Sequence, residues 1–229
     1  MLRAIIFDMD GVICDSEPIH MQAFQAVLKS EGIMITDQEY YDKYLAHDDR
    51  GSFESALEAH QRPPPEVKRM NALLSAKARA FDGLMKKRMI IYPGADAFVR
   101  KAVKKYALAL ASGARRLEVE YVLKKAKIRD VFSAIVSADE VKNGKPQPEA
   151  FLRALELLNA TRLEGTRAIQ VSETLVIEDS PRCIRTAKAL GMKTAGMASS
   201  YKPEELKEAH LVIDTLVGLD VETLEKLFV

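Results

Sequence analysis

The sequence predicts a doubly wound α/β core, built on a parallel sheet, with an all-helical insert placed after its first strand. Three observations carry this reading. Short uninterrupted apolar runs recur along the chain and end in Ser, Gly, Asp or Glu; such runs fit strands buried on both faces. Amphipathic helical patterns alternate with these runs, as in a sheet covered on both sides. From about residue 16 to residue 91 the strand signal is lost and only helical patterns remain.

In order, the first strand is read in Leu2–Phe7, ending at Asp8, Asp10 and Gly11. Ser16–Glu31 follows as a helix with Ile19, Ala23, Val27 and Leu28 on one face and Gly32 as its stop. Thr36-x-x-Glu39 is a capping box opening a second helix. A third is read over Ser52–His60, Pro63-Pro64-Pro65 forces a break, and Glu66–Lys87 forms a long fourth helix. Pro93-Gly94 marks the return to strand–helix alternation. Strands are read at Tyr106–Ala111, Ala134–Val136, Leu175–Ile177, Lys193–Met197 and Leu211–Ile213. Helices are read at Ala95–Lys105, Leu117–Lys125, Glu149–Leu158 and Arg182–Leu190, the last with Ser180 as N-cap and Pro181 at its first position. The expected division is a core of 1–15 and 92–229 and a helical unit of 16–91.

Composition narrows the function classes. With 229 residues, 48% apolar and 29% charged, the chain can bury a substantial core. A net charge of +1 offers no global attraction for nucleic acid or a membrane surface. No stretch approaches the roughly 18 apolar residues of a membrane span, and the apolar start is too short for a signal-peptide core. Two cysteines, Cys14 and Cys183, are read as buried free thiols in a cytoplasmic protein. The low aromatic content, 7%, offers no obvious interface, so a monomer is expected.

In an open parallel sheet, ligands bind outside the carboxyl ends of the strands. The polar residues there are Asp8 and Asp10, Ser112 and Gly113, and Glu178 and Asp179; Lys145 sits in a loop just before a helix. Singly, each has a plainer reading: Asp-Gly turns are common, loop lysines are usually solvated, and acids with Ser favour helix starts. Together they suit phosphoryl transfer. Clustered carboxylates repel unless a cation holds them, and oxygen-only donors suit Mg²⁺. An ammonium and a hydroxyl can bind phosphoryl oxygens while one carboxylate attacks phosphorus.

Four segments in this order carry a family resemblance. Asp8-Met9-Asp10-Gly11-Val12, Ala111-Ser112-Gly113, Gly144-Lys145-Pro146-x-Pro148 and Val176-Ile177-Glu178-Asp179-Ser180 resemble the four motifs of the haloacid dehalogenase superfamily, which has a Rossmann-like core. The insert after the first motif resembles the helical cap of its β-phosphoglucomutase-like and phosphoglycolate-phosphatase-like branch. The resemblance implies Asp8 as nucleophile and Asp10 as general acid/base. It implies Mg²⁺ held by the Asp8 side chain, the Asp10 carbonyl, Asp179 and Glu178, with Ser112, Gly113 and Lys145 on the phosphoryl oxygens. It places His20, Arg50 and Lys77 of the cap at the mouth of the site, and Arg115 and Arg116 toward a distal anionic group of the substrate.

The implied activity is a phosphatase acting on a small phosphorylated metabolite, such as a sugar phosphate, with the cap excluding water and choosing the substrate. A β-phosphoglucomutase-like phosphomutase would use the same residues. Ser16 in place of Thr, and the loop Ala46-His47-Asp48-Asp49-Arg50 in place of Gly-Val-Ser-Arg, favour the phosphatase. A catalytically idle binding or regulatory protein on the same fold is a third reading, opposed by the intact Asp8, Asp10, Ser112, Lys145 and Asp179. Other departures are Arg182-Cys183, where small residues are usual, and the long approach Ala160–Thr174 to the fourth motif.

Overall fold

A computed structural model describes residues 1–45 and 47–229; Ala46, within the loop before Arg50, lies outside the described residues. The elements run β1 (Ala4–Phe7), β2 (Cys14–Asp15), α1 (Glu17–Ser30), α2 (Asp37–Lys43), α3 (Asp49–Ala59), α4 (Val67–Arg88), β3 (Ile90–Ile91), α5 (Ala95–Ala102), β4 (Ala107–Ala111), α6 (Arg116–Lys125), β5 (Ala134–Val136), α7 (Glu149–Ala160), β6 (Thr174–Glu178), α8 (Pro181–Ala189), β7 (Lys193–Met197), β8 (Leu211–Ile213) and α9 (Val221–Glu225). The chain divides into two compact units, Met1–Asp15 with Ile90–Val229, and Ser16–Met89.

The larger unit holds a parallel sheet of order β5-β4-β1-β6-β7-β8. The order reverses at β1, which lies between β4 and β6. Their registers are Phe7 against Leu110 on one side and Ile177 on the other. This puts the residues after β1, β4 and β6 side by side at one end of the sheet. β1 is buried along its whole length, as its unbroken apolar run predicts. Phe7 packs edge-on against Phe98 and Phe132, with centroids 6.1 and 5.9 Å away. On the other face Ile6, Ala109 and Val176 pack against Phe151, Leu155 and Leu158 of α7. Burying each large side chain contributes about 1.5–3 kcal/mol, so these layers anchor the strand ends that follow.

β2 and β3 form a two-stranded antiparallel ribbon, pairing Cys14 with Ile91 and Asp15 with Ile90. Ile90 and Ile91 therefore belong to the larger unit, not to the helical insert as the sequence reading has it. Two residues are too few to show a periodicity, and only the distant partner makes them a strand.

The helical unit is an αα arrangement around its own core. Phe24 of α1 contacts Tyr40, Tyr44 and Phe53, with centroids 5.9, 5.4 and 4.9 Å away, and Met70 and Leu73 of α4 join the same cluster. The Thr36 hydroxyl accepts the Glu39 N–H at 3.0 Å, the capping bond read from the sequence. α3 starts at Asp49, earlier than the expected Ser52, because the Asp48 carboxylate accepts the Gly51 N–H at 2.8 Å and caps it. No helix among the described residues is long and apolar enough to cross a membrane.

Candidate active site

Asp8 is the first residue past β1, and its N–H donates to the Ile177 carbonyl at 2.9 Å, so the turn remains tied to β6. The following segment folds back on itself: Ile13 and Cys14 donate to the Met9 carbonyl at 2.8 and 3.1 Å, and Gly11 donates to the Cys14 carbonyl at 2.9 Å. Gly11 has φ +75°, and a Cβ there would stand 1.9 Å from Asp179 Oδ2. Only glycine permits both the left-handed turn and the approach of that carboxylate. The Ser199 hydroxyl donates to the Gly11 carbonyl at 2.5 Å, which pins the loop from the end of β7.

Lys145 binds this turn to β6. Its Nζ donates to Asp8 Oδ1 at 2.7 Å and to Glu178 Oε1 at 2.8 Å, and it stands 4.9 Å over the Phe151 ring. The loop that carries it is fixed on both sides. The Glu149 carboxylate accepts from the N–H groups of Lys142 and Asn143 at 2.7 and 2.8 Å, and the Thr186 hydroxyl donates to the Pro146 carbonyl at 2.7 Å. The Lys145–Pro146 peptide is cis. Glu178 Oε2 accepts the Ser180 N–H at 2.7 Å, so Glu178 both orients Lys145 and starts α8. Ser180 flanks α8 as expected, but its side chain makes no capping bond there.

Ser112 follows β4 and is 1% exposed. Its N–H donates to the Val136 carbonyl at 2.9 Å, and its Oγ accepts the Ala114 N–H at 3.0 Å. As the acceptor in that bond, the hydroxyl keeps its own hydrogen to donate. At Gly113 nothing lies within 4 Å of where a Cβ would stand. The Cys14 thiol contacts Asp10 Oδ1 and the Met9 carbonyl, each at 3.7 Å.

The carboxylates carry the electrostatics. Ligand oxygens of Asp8, Glu178 and Asp179 lie within 4.8 Å of one another, and all three residues are buried. Burial, opposed by Lys145 and reinforced by Glu178 and Asp10, pushes the Asp8 carboxyl up to about 8. Burial, then the charges of Glu178 and Asp8, holds the Asp179 carboxyl well above its usual range, against a hydrogen bond from Ser200. For Lys145 the larger effect of burial runs downward, yet the two carboxylates more than offset it and its ammonium is held above the ordinary value. A cation is what such a donor set accommodates: oxygen atoms only, close together, and costly to ionise without positive charge. Both thiols are free and buried. Burial, then Asp10 and Asp8, raises Cys14; burial, then Glu178, raises Cys183. Neither is poised as a nucleophile.

These shifts give a testable pH dependence. The unfolded chain releases the Asp8 proton near the ordinary aspartate value of 3.8, whereas the folded chain holds it to about 8. The stability this contributes is fully present below the lower value and is lost as pH rises through the upper one. In protein stripped of divalent cations by a chelator, the melting temperature is expected to be lower at pH 9 than at pH 6. Adding Mg²⁺ is expected to remove most of that difference. Differential scanning calorimetry with and without chelator measures both.

The remaining residues singled out from the sequence make contacts within their own units. Arg115 Nε donates to Glu118 at 2.5 Å. Arg116 donates to the Ile135 carbonyl and to Glu140, both at 3.1 Å. In the helical unit, Lys77 is buried, pairs with Asp49, and has its Nζ 3.3 Å from His20 Nδ1. His20 stacks on Phe81 with centroids 4.3 Å apart. Lys77, Asp49 and His20, with Glu17, Tyr40 and Ser52, line a cavity of about 160 Å³ within that unit. Arg50 is exposed and lies 3.9 Å from Glu54. Sequence reasoning missed Glu118, Phe151 as the partner of Lys145, and Ser199 and Ser200. The last two are the polar residues past β7, where the strand-end rule points.

A family model for haloacid dehalogenase-like hydrolases matches residues 5–197, which span every strand of this sheet except β8. The chain belongs to the haloacid dehalogenase-like hydrolases. Within this family it is 28% identical, over 221 residues, to the phosphorylated carbohydrates phosphatase of Thermotoga maritima; the match covers 90% of this chain and 96% of that protein. It is 30% identical over 193 residues to fructose-1-phosphate phosphatase YqaB of Escherichia coli, covering 82% and 92%. Its fold superposes on the crystal structure of β-phosphoglucomutase from Clostridium difficile with a TM-score of 0.82, at 25% identity, covering 100% and 97%. The parallel six-stranded sheet is that of the haloacid dehalogenase fold.

Proposed function

We propose that this hydrolase is a Mg²⁺-dependent phosphatase that removes the phosphoryl group from a small phosphorylated metabolite through an aspartyl phosphate on Asp8. The observation that carries the proposal is the buried set Asp8, Lys145, Glu178 and Asp179, drawn from three segments to one end of the sheet. The phosphatase names of the relatives in Thermotoga maritima and Escherichia coli support it. Two free, buried thiols fit a reducing compartment such as the cytoplasm.

In this reading an Asp8 carboxylate oxygen attacks phosphorus. The Asp8–phosphorus bond forms as the bond to the ester oxygen breaks, and Asp10 gives its proton to the departing alkoxide. Asp10 then takes a proton from water as the water oxygen attacks phosphorus, which frees Asp8 and releases inorganic phosphate. Lys145 and the Ser112 hydroxyl hold the phosphoryl oxygens, with Gly113 leaving room beside them. Lys145 remains an ammonium throughout, because Asp8 and Glu178 stabilise its charge. Asp8 and Asp179, with Glu178 and the Asp10 carbonyl, would hold Mg²⁺, which would supply positive charge favouring the ionised Asp8 carboxylate and offsetting charge on the phosphoryl group.

A screen of phosphate esters with and without Mg²⁺ tests the proposal. Phosphate release that requires Mg²⁺ is expected for at least one ester; full activity in excess chelator would contradict it. The likeness to β-phosphoglucomutase favours a second reading, in which a sugar hydroxyl takes the place of water. Against it, the loop sequence departs from the Gly-Val-Ser-Arg expected of such mutases, and here Asp48 caps α3 and Asp49 pairs with Lys77. Glucose 6-phosphate formed from β-glucose 1-phosphate, without comparable free phosphate, would establish the mutase.

A further inference from the structure

Arg115 and Arg116 follow Ser112 and Gly113 past the carboxyl end of β4, the end of the sheet that carries Asp8, and each is held by carboxylate. Arg115 is 40% exposed at its side chain, but its Nε and one terminal nitrogen both donate to Glu118 Oε1. Arg116 is committed to the Ile135 carbonyl and Glu140, with Glu120 3.6 Å away. Glu118 is the unusual member. It occupies the first turn of α6, where an acid is normally a solvated complement to the helix dipole, yet it is 7% exposed. Burial raises its carboxyl and Arg115 opposes this. The first turn of α6 follows directly on the carboxyl end of β4, beside β1, so it stands at the end of the sheet that carries Asp8.

We infer that Glu118 is a specificity-determining residue: by neutralising Arg115 it makes the enzyme favour phosphate monoesters whose remainder is uncharged, such as polyols and sugars, over those bearing a second phosphate or a carboxylate. This rests on the phosphatase reading and narrows its substrate class. An anion approaching Arg115 meets the carboxylate of Glu118 across the same guanidinium. Drawing Arg115 away leaves a buried carboxylate without its cation, which is strongly unfavourable. Like-charge juxtaposition of this kind is a means of rejecting one ligand class without adding a contact to the other.

The test uses three matched pairs that share a reacting ester: fructose 1-phosphate with fructose 1,6-bisphosphate, glucose 6-phosphate with 6-phosphogluconate, and glycerol 3-phosphate with 3-phosphoglycerate. Phosphate release gives kcat/KM for each. Wild type is expected to favour the singly charged-group member of every pair it accepts. Glu118→Gln keeps the shape and hydrogen bonds of the side chain but not its charge. It is expected to shift the ratio by about tenfold or more toward the doubly anionic member, the scale of one charge-assisted contact. Adding Arg115→Met to Glu118→Gln is expected to abolish that gain. A purely structural ion pair would lower activity on both members alike and leave the ratio unmoved, and that result overturns the inference. So does a wild-type preference for the doubly anionic members, which needs no variant to fold. Wild type that releases phosphate from none of the six esters overturns the phosphatase reading, and the inference with it; release with the opposite preference overturns the inference alone.

Discussion

Replacing Asp8 by Asn is expected to lower phosphate release by at least about three orders of magnitude while leaving the protein folded. The amide has nearly the same size and can still accept the hydrogen bond that Lys145 makes at 2.7 Å. It cannot attack phosphorus to form an acyl phosphate. It also removes one of three buried carboxylates whose mutual repulsion and burial hold Asp8 up to about 8. In chelator at pH 9 the variant is therefore expected to melt at or above the wild-type temperature. Loss of activity with unchanged or raised melting temperature separates a chemical role from a structural one. Activity within tenfold of wild type would show that another group attacks phosphorus.

The second large effect is expected at Lys145. Its side chain is 8% exposed and is the cation shared by Asp8 and Glu178. Methionine keeps the apolar stem over Phe151 and removes the ammonium. Two buried carboxylates are then left without their cation, a change that costs about 3–5 kcal/mol. For a chain of this size that corresponds to a fall in melting temperature of roughly 6–20 °C. The deficit has a defined pH dependence. Without the ammonium, whose charge lowers it, the folded-state Asp8 carboxyl is raised further, so the stability it contributes survives at low pH and is lost as pH rises. Calorimetry in chelator is expected to show a larger gap between Lys145→Met and wild type at pH 8 than at pH 5. Equal gaps at both pH values would mean that Lys145 contributes by packing alone. Phosphate release by the variant is expected to fall at saturating substrate, because the ammonium would serve the transferring group and not only the binding of the ester.

Most of the architecture could be read from the sequence because its strands are buried on both faces. Ala4–Phe7 and Ala134–Val136 fall within apolar runs that polar residues do not interrupt. The ribbon of Cys14–Asp15 and Ile90–Ile91 could not be read this way, since each half is two residues long and is defined by a partner about 75 positions away. The short α9 at Val221–Glu225 was also missed; it carries too few residues to display a helical period.

At the site, legibility followed position on the sheet. Asp8, Ser112, Glu178 and Asp179 stand at the ends of adjacent strands, so their place at one end of the sheet follows from strand order. Lys145 is brought in by a loop, so its place beside Asp8 and Glu178 does not follow from strand order. What sequence could not show is which charges cancel. Arg115 and Arg116 read as two cations after a strand end, whereas Glu118 and Glu140 occupy them in the folded chain. Glu118 lies one helical turn from Arg115, in a place where acids are common, and its burial is visible only in three dimensions.

The attack by Asp8 is the centre of the account, and it can be trapped. Borohydride added during turnover reduces an acyl phosphate and converts the aspartate that carries it to homoserine, which peptide mass spectrometry locates. With Mg²⁺ and a hydrolysed ester present, homoserine is expected at position 8 and at no other aspartate, and it is expected to vanish when either substrate or Mg²⁺ is withheld. Homoserine at a different position, or none at any position while an intermediate is demonstrably accumulating, would contradict the account.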